Sequence, residues 1–178
     1  MDRFERPKKS ILTKPAASTG GNAYGAVRDE DSLDALNAAW DIGVNFFDTA
    51  DTYGEGHSEE LLGKFLKGKP RDRLTLATKC GWDFYLPAGR PSQKPAPLLS
   101  ESSEKLNHAG HKKNFDINYI RFACEQSLKR LDTDAIDLFQ LHNPSLELIR
   151  KGDLVGVLEG LKKEGKIRFI GISVHTEV

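Results

Sequence analysis

Four residues in this 178-residue sequence directly follow short apolar runs and carry groups that can bond or exchange protons: Asp48 after NFF, Lys79 after LTLAT, His142 after LFQL and Ser173 after FIGI. A phenol, Tyr53, stands five residues beyond Asp48 in DTADTYG. An acid, a lysine, a phenol and an imidazole brought to one place are what proton donation to a carbonyl requires. A free tyrosine titrates near pH 10 and donates poorly at neutrality. An ammonium beside it favours the phenolate and lowers that value, while a carboxylate holds the ammonium in place. Tyr53, Lys79 and Asp48 supply those three parts, and His142 can orient the carbonyl or relay the proton. Singly, each has a plainer reading: Asp48 as a turn residue, Tyr53 as a packed aromatic, Lys79 as a snorkelling cation and His142 as a satisfied core histidine. The set is informative only if the fold collects it.

The surrounding periodicities say how it would. Leu33, Leu36, Ala39 and Trp40 share a helical face that Gly43 ends. Val44 to Phe47 reads as a strand, and Leu61, Leu62, Phe65 and Leu66 mark the next helix, with Ser58 as its expected cap and Gly68 as its stop. Leu74 to Thr78 is a second strand. Asp116 is placed to cap a helix whose stripe is Ile117, Ile120, Cys124, Leu128 and Leu131. Ile136 to Leu141 is a third strand, Leu154, Val157, Leu158 and Leu161 mark a further helix, and Ile167 to Ile172 is a fourth strand. Strands alternating with helices predict a parallel sheet covered by helices, hence an α/β fold. In a parallel β/α barrel the carboxyl ends of all strands open on one face, where Asp48, Tyr53, Lys79, His142 and Ser173 would meet.

Composition narrows the function classes. Twenty-six basic residues balance twenty-six acidic ones, so no net field favours nucleic acid or an anionic membrane. No apolar stretch reaches the roughly 18 residues of a membrane span, and the start, MDRFERPKKS, lacks an apolar leader, which makes the cytoplasm the expected location. Cys80 and Cys124 match no metal spacing and are expected to be reduced thiols. His108 and His111 lack a third ligand set by spacing, so no metal is expected. YGEG at residues 53–56 is expected to be a flexible turn rather than a phosphate loop. Residues 80–115 hold Pro87, Pro91, Pro95 and Pro97 with little period, too long for an ordinary connection; Trp82, Phe84 and Tyr85 in it could line a substrate pocket.

The segments GVNFFDTADTYGEGHSEELLGKFLKG, LTLATKCGW, AIDLFQLHNP and GKIRFIGIS resemble the aldo-keto reductases, barrel enzymes that reduce aldehydes and ketones with NADPH. The resemblance runs from about Gly20 to the end of the chain. It implies a (β/α)8 TIM-barrel type of fold, a catalytic tetrad of Asp48, Tyr53, Lys79 and His142, and Asp48 and Ser173 next to the cofactor. Hydride would pass from the nicotinamide of NADPH to the carbonyl carbon of a small substrate while Tyr53 protonates the oxygen.

The sequence also departs from that pattern. Four clear strands, where such a barrel has eight in about 250 residues, predict an incomplete barrel over residues 20–178 with a long insertion at 80–115. Residues 1–19, with Pro15 and polar side chains where a first strand belongs, are expected to be irregular or degraded. Val174 stands where the family has asparagine after Ser173, and most of the cofactor-binding strands are expected to be absent. Exposed strand edges would then favour self-association. The alternative to a reductase is a catalytically inactive remnant or a regulatory or interaction protein on the same scaffold.

Overall fold

The structure is a computed structural model and describes residues 10–12, 28–85 and 111–174. The chain runs β1 (Ser10–Leu12), α1 (Asp29–Asp41), β2 (Phe46–Asp48), α2 (His57–Leu66), β3 (Thr75–Cys80), β4 (Trp82–Asp83), β5 (Lys112–Lys113), α3 (Ile117–Leu131), β6 (Ile136–His142), α4 (Leu146–Lys151), α5 (Asp153–Lys163) and β7 (Ile167–Ser173). Five strands form one parallel sheet in the order β1-β2-β3-β6-β7. Parallel pairing with helical crossovers is the β/α pattern that the alternation predicts.

The helices bury their apolar stripes against the sheet. Phe47, Leu76, Phe139 and Leu141 form one core with Leu62 and Phe65 of α2, Ile120 and Cys124 of α3, and Leu158 and Leu161 of α5. The rings of Phe47 and Phe65 lie 5.0 Å apart. Each such side chain contributes about 1.5–3 kcal/mol on full burial, so this face alone accounts for the preference of the chain for β/α packing. Where α2 crosses α3, Gly63 lies so close that an added Cβ would sit 2.4 Å from the Arg130 carbonyl oxygen.

Three features differ from the sequence reading. A strand exists in the segment expected to be irregular: Ser10, Ile11 and Leu12 pair with Phe46, Phe47 and Asp48. Three residues held through backbone bonds at a sheet edge need no apolar alternation, so periodicity does not detect them. Ser58 does not cap α2; Gly56, left-handed at φ 97°, takes that position, and the buried Ser58 hydroxyl instead lies 2.6 Å from that of Thr49. The short helix α4, capped by Ser145 through the Leu148 amide, lies in a stretch to which the sequence reading assigned no element.

Asp116 caps α3 as expected, accepting from the amides of Asn118 and Tyr119. The two ends of the 80–115 stretch are ordered. Cys80 completes β3, β4 and β5 form an antiparallel ribbon, and Phe115 is buried in the core. The four prolines and His108 lie outside the described residues. No helix among the described residues is long and apolar enough to cross a membrane.

Candidate active site

The rim at the carboxyl ends of β2, β3, β6 and β7 is assembled first by backbone. Beyond β2 the chain stays bonded to β3: the Thr49 amide donates to the Ala77 carbonyl at 2.9 Å and the Asp51 amide to the Lys79 carbonyl at 3.0 Å. The chain then coils through tight turns in which Gly54, Glu55 and Gly56 are all left-handed, with φ of 62°, 54° and 97°. Two glycines make that conformation accessible, and this is the structural role of YGEG. The Tyr53 carbonyl accepts from the Ser58 amide, which ties the tyrosine to the first turn of α2.

Onto this frame the sequence-predicted side chains converge. The Lys79 ammonium donates to Asp48 Oδ2 at 2.8 Å and to the Thr49 carbonyl at 2.6 Å. Lys79 is only 4% exposed and Asp48 is half-buried, so removing either charge would strand the other largely out of water. The same ammonium lies 5.4 Å from the Tyr53 ring centroid. The His142 ring meets the Tyr53 ring edge-on, with centroids 6.0 Å apart at 86°. The structure therefore brings Asp48, Tyr53, Lys79 and His142 into one cluster. Ser173 pairs with His142 in register at the end of β7, and its carbonyl accepts from the Asn143 amide at 2.8 Å.

The electrostatics differ from the sequence expectation in one respect. Tyr53 is pushed up to about 12, first by burial and then by the Asp48 carboxylate. The ammonium was expected to lower it, but Asp48 at 2.8 Å neutralises that charge before it reaches the phenol, and the loss of solvent dominates. Asp51 is wholly buried, and neither carboxylate oxygen has a side-chain hydrogen-bond partner among the described residues. Burial and then the Glu59 charge push it well above the usual carboxylate range, which favours its neutral form.

Sequence reasoning missed two parts of the site. Gln140 donates to Asp48 Oδ1 at 3.0 Å, so both carboxylate oxygens of Asp48 are bonded to side chains. A signal was present: Gln140 is the polar break in LFQL, two residues before His142 and on the same face of the strand. The second is a buried ion pair behind the turn, Glu59 with Arg130, for which no local pattern exists. Of the aromatics in the 80–115 stretch, Trp82 is buried, and Phe84 stacks on Tyr85 at 4.1 Å and 27°. Tyr85 also packs edge-on against Tyr119 and Phe122, so this end of the stretch is a packed wall.

Comparison with known proteins bears on the family and the fold. The Aldo/keto reductase family model matches residues 16–178. The chain is 35% identical over 160 residues to a D-threo-aldose 1-dehydrogenase of a Pseudomonas species, covering 88% of this chain and 47% of that protein. An aldo-keto reductase of Bacillus halodurans in its holo form superposes with a TM-score of 0.65 at 32% identity, covering 84% of this chain and 43% of that one. An aldo-keto reductase of Klebsiella pneumoniae in complex with NADPH superposes at 0.58 with 29% identity, covering 83% of this chain and 40% of that one. The chain spans less than half the length of the curated relatives it matches. Its five parallel strands and outer helices correspond to part of their (β/α)8 barrel, and the chain belongs to the aldo/keto reductase family of oxidoreductases.

Proposed function

We propose that this chain carries the proton-donating side of an NADPH-dependent reduction of a small aldehyde or ketone to an alcohol, with Tyr53 as general acid. The observation that carries the reading is the Tyr53 ring held between the Lys79 ammonium and the edge of His142 at the carboxyl rim of the sheet. The hydride received by the carbonyl carbon would come from a reduced nicotinamide when one is bound. With its pKa pushed up to about 12, Tyr53 holds its proton throughout the neutral range and gives it to the carbonyl oxygen as negative charge develops there. The phenolate left behind faces the Lys79 ammonium, which Asp48 and the Thr49 carbonyl keep in place. His142 orients the carbonyl oxygen toward the phenol.

The residues present fit the nicotinamide end of the cofactor. Gln140 beside Asp48, and Ser173 one strand further along the rim, offer side-chain donors and acceptors of the kind that a carboxamide needs. Asp48 and Ser173 are the positions we assign next to the cofactor. Buried free thiols at Cys80 and Cys124 accord with the cytoplasmic location that we propose.

The test is reduction of a short aliphatic aldehyde by the purified chain, followed through loss of the nicotinamide absorbance, with NADPH binding measured separately by fluorescence titration. Tyr53→Phe is expected to leave NADPH binding intact and to lower turnover by roughly 10²-fold or more. Absence of NADPH binding by the wild-type chain would sink the reading. It would favour the second one, a non-catalytic scaffold acting through association with another copy. That alternative has its own support in β7, an edge strand on which Phe169 and Ile172 are each 46% exposed.

A further inference from the structure

Arg130 lies near the end of α3, on the helix side of the sheet rather than in the cluster at the rim, yet it touches α2 and the turn that joins Tyr53 to α2. Its Nε and Nη2 both reach Glu59 Oε2 of α2 at 2.7 Å. Glu59 is wholly buried, and its other oxygen accepts from the Thr78 hydroxyl at 2.6 Å, one residue before Lys79. The aliphatic end of Arg130 fills the space over Gly56, where an added Cβ would meet Arg130 Cδ at 2.7 Å and Nε at 2.8 Å. Gly56 is the last of the three left-handed residues that follow Tyr53. On its far side, Arg130 Nη2 donates to the Tyr85 hydroxyl at 2.8 Å, and the guanidinium lies 5.7 Å and 5.5 Å from the Phe84 and Tyr85 ring centroids.

One planar, five-donor group thus joins three pieces of chain: the turn carrying Tyr53, the strand carrying Lys79 and the aromatic end of the 80–115 stretch. We infer that Arg130 is a positioning residue that fixes the Tyr53 turn and the Phe84–Tyr85 wall relative to one another, through Glu59 and Gly56. The inference rests on the reading of Tyr53 as proton donor. A lysine could hold the charge opposite Glu59, but it cannot bond Glu59 and Tyr85 together while stacking on two rings. A glycine at position 56 suits its positive φ, and a Cβ there would also displace the Arg130 side chain that crosses it.

The experiment places a fluorotyrosine at position 53 and compares its fluorine NMR signal in otherwise wild-type protein with four variants. Arg130→Met alone strands the buried Glu59 charge and risks unfolding, so the charge-balanced pair Glu59→Gln with Arg130→Met accompanies it. Arg130→Lys tests the fork rather than the charge. Arg121→Met, on the same helix but paired with Glu164 toward α5, is the control. The Tyr53 signal is expected to shift and broaden in the charge-balanced pair, to shift less in Arg130→Lys and to stay in place in Arg121→Met. In parallel, kcat for aldehyde reduction is expected to fall roughly ten- to a hundredfold in the charge-balanced pair, with the NADPH Kd within about twofold of wild type and partial recovery in Arg130→Lys. A Tyr53 signal unmoved in the charge-balanced pair, measured well below its melting temperature, would overturn the inference even if that variant were less stable. A wild-type chain that turns nothing over would instead overturn the functional reading, and the fluorine signal would still decide the role of Arg130.

Discussion

Burial and the Asp48 carboxylate together push the Tyr53 phenol up to about 12, which makes this residue visible at high pH. An unfolded chain titrates tyrosine near pH 10. A folded pKa raised above the unfolded one stabilises the native state fully below pH about 10, and that contribution is lost as pH rises through about 12. Difference spectroscopy of the phenolate, wild type against Tyr53→Phe, should therefore show a component centred near 12, and wild-type stability should fall more steeply between pH 10 and 12 than that of the variant. A component near 10 would mean that the ring is solvated, or that Asp48 does not neutralise Lys79. Asp48, Lys79 and His142 were legible because each follows an apolar run, so position in the sequence encodes position on the rim, and Tyr53 because it stands five residues beyond Asp48. Gln140 to Asp48 and Arg130 to Glu59 were not, because those bonds span 92 and 71 residues and leave no local period.

At the scale of elements, the packing of α2 on α3 sets how firmly the Tyr53 turn is held, since α2 begins where the turn ends. Gly63 sits at their crossing, and a Cβ there would lie 2.4 Å from the Arg130 carbonyl oxygen and 3.1 Å from the Leu131 carbonyl carbon. Helix propensity alone favours Gly63→Ala by about 1 kcal/mol. The clash is with backbone, which cannot swing aside, and overpacking of this kind costs about 1–3 kcal/mol. Gly63→Ala should then lower the urea midpoint rather than raise it; a raised midpoint would show that the helices have room to part. Sequence periodicity found the stripes of α2, α3 and α5 because each packs against a sheet that covers about a third of the helix. It missed the Gly56 cap and the strand β1, where backbone geometry rather than side-chain burial decides the conformation. The Ser58 hydroxyl had the chemistry of a cap, but the buried Thr49 hydroxyl engages it from across the turn.

At the scale of the molecule, a closed barrel has no strand edge, whereas the parallel sheet of the described residues has two edge strands, β1 and β7. They are unequal. The edge at β1 is three residues long, short enough to be a poor template, while β7 runs for seven residues and leaves Phe169 and Ile172 each 46% exposed. The alternation of strands and helices made the parallel sheet legible from sequence. Exposure along β7 was not, because the same apolar run, FIGI, would serve equally well buried between two neighbouring strands. Long, apolar edges recruit further strands, and we propose a second copy of this chain as the partner there. Light scattering across a concentration series should show the wild-type chain associating, and Ile172→Lys should weaken that association at least tenfold. A charge on an edge strand opposes pairing without requiring any change within the sheet. Ile172 alternates with Ser173, so its side chain lies on the sheet face opposite those of Ser173 and His142, and the variant should bind NADPH as the wild type does. If Ile172→Lys associates as strongly as wild type, contact between copies runs through another surface, and the support that β7 lends to the scaffold reading is removed.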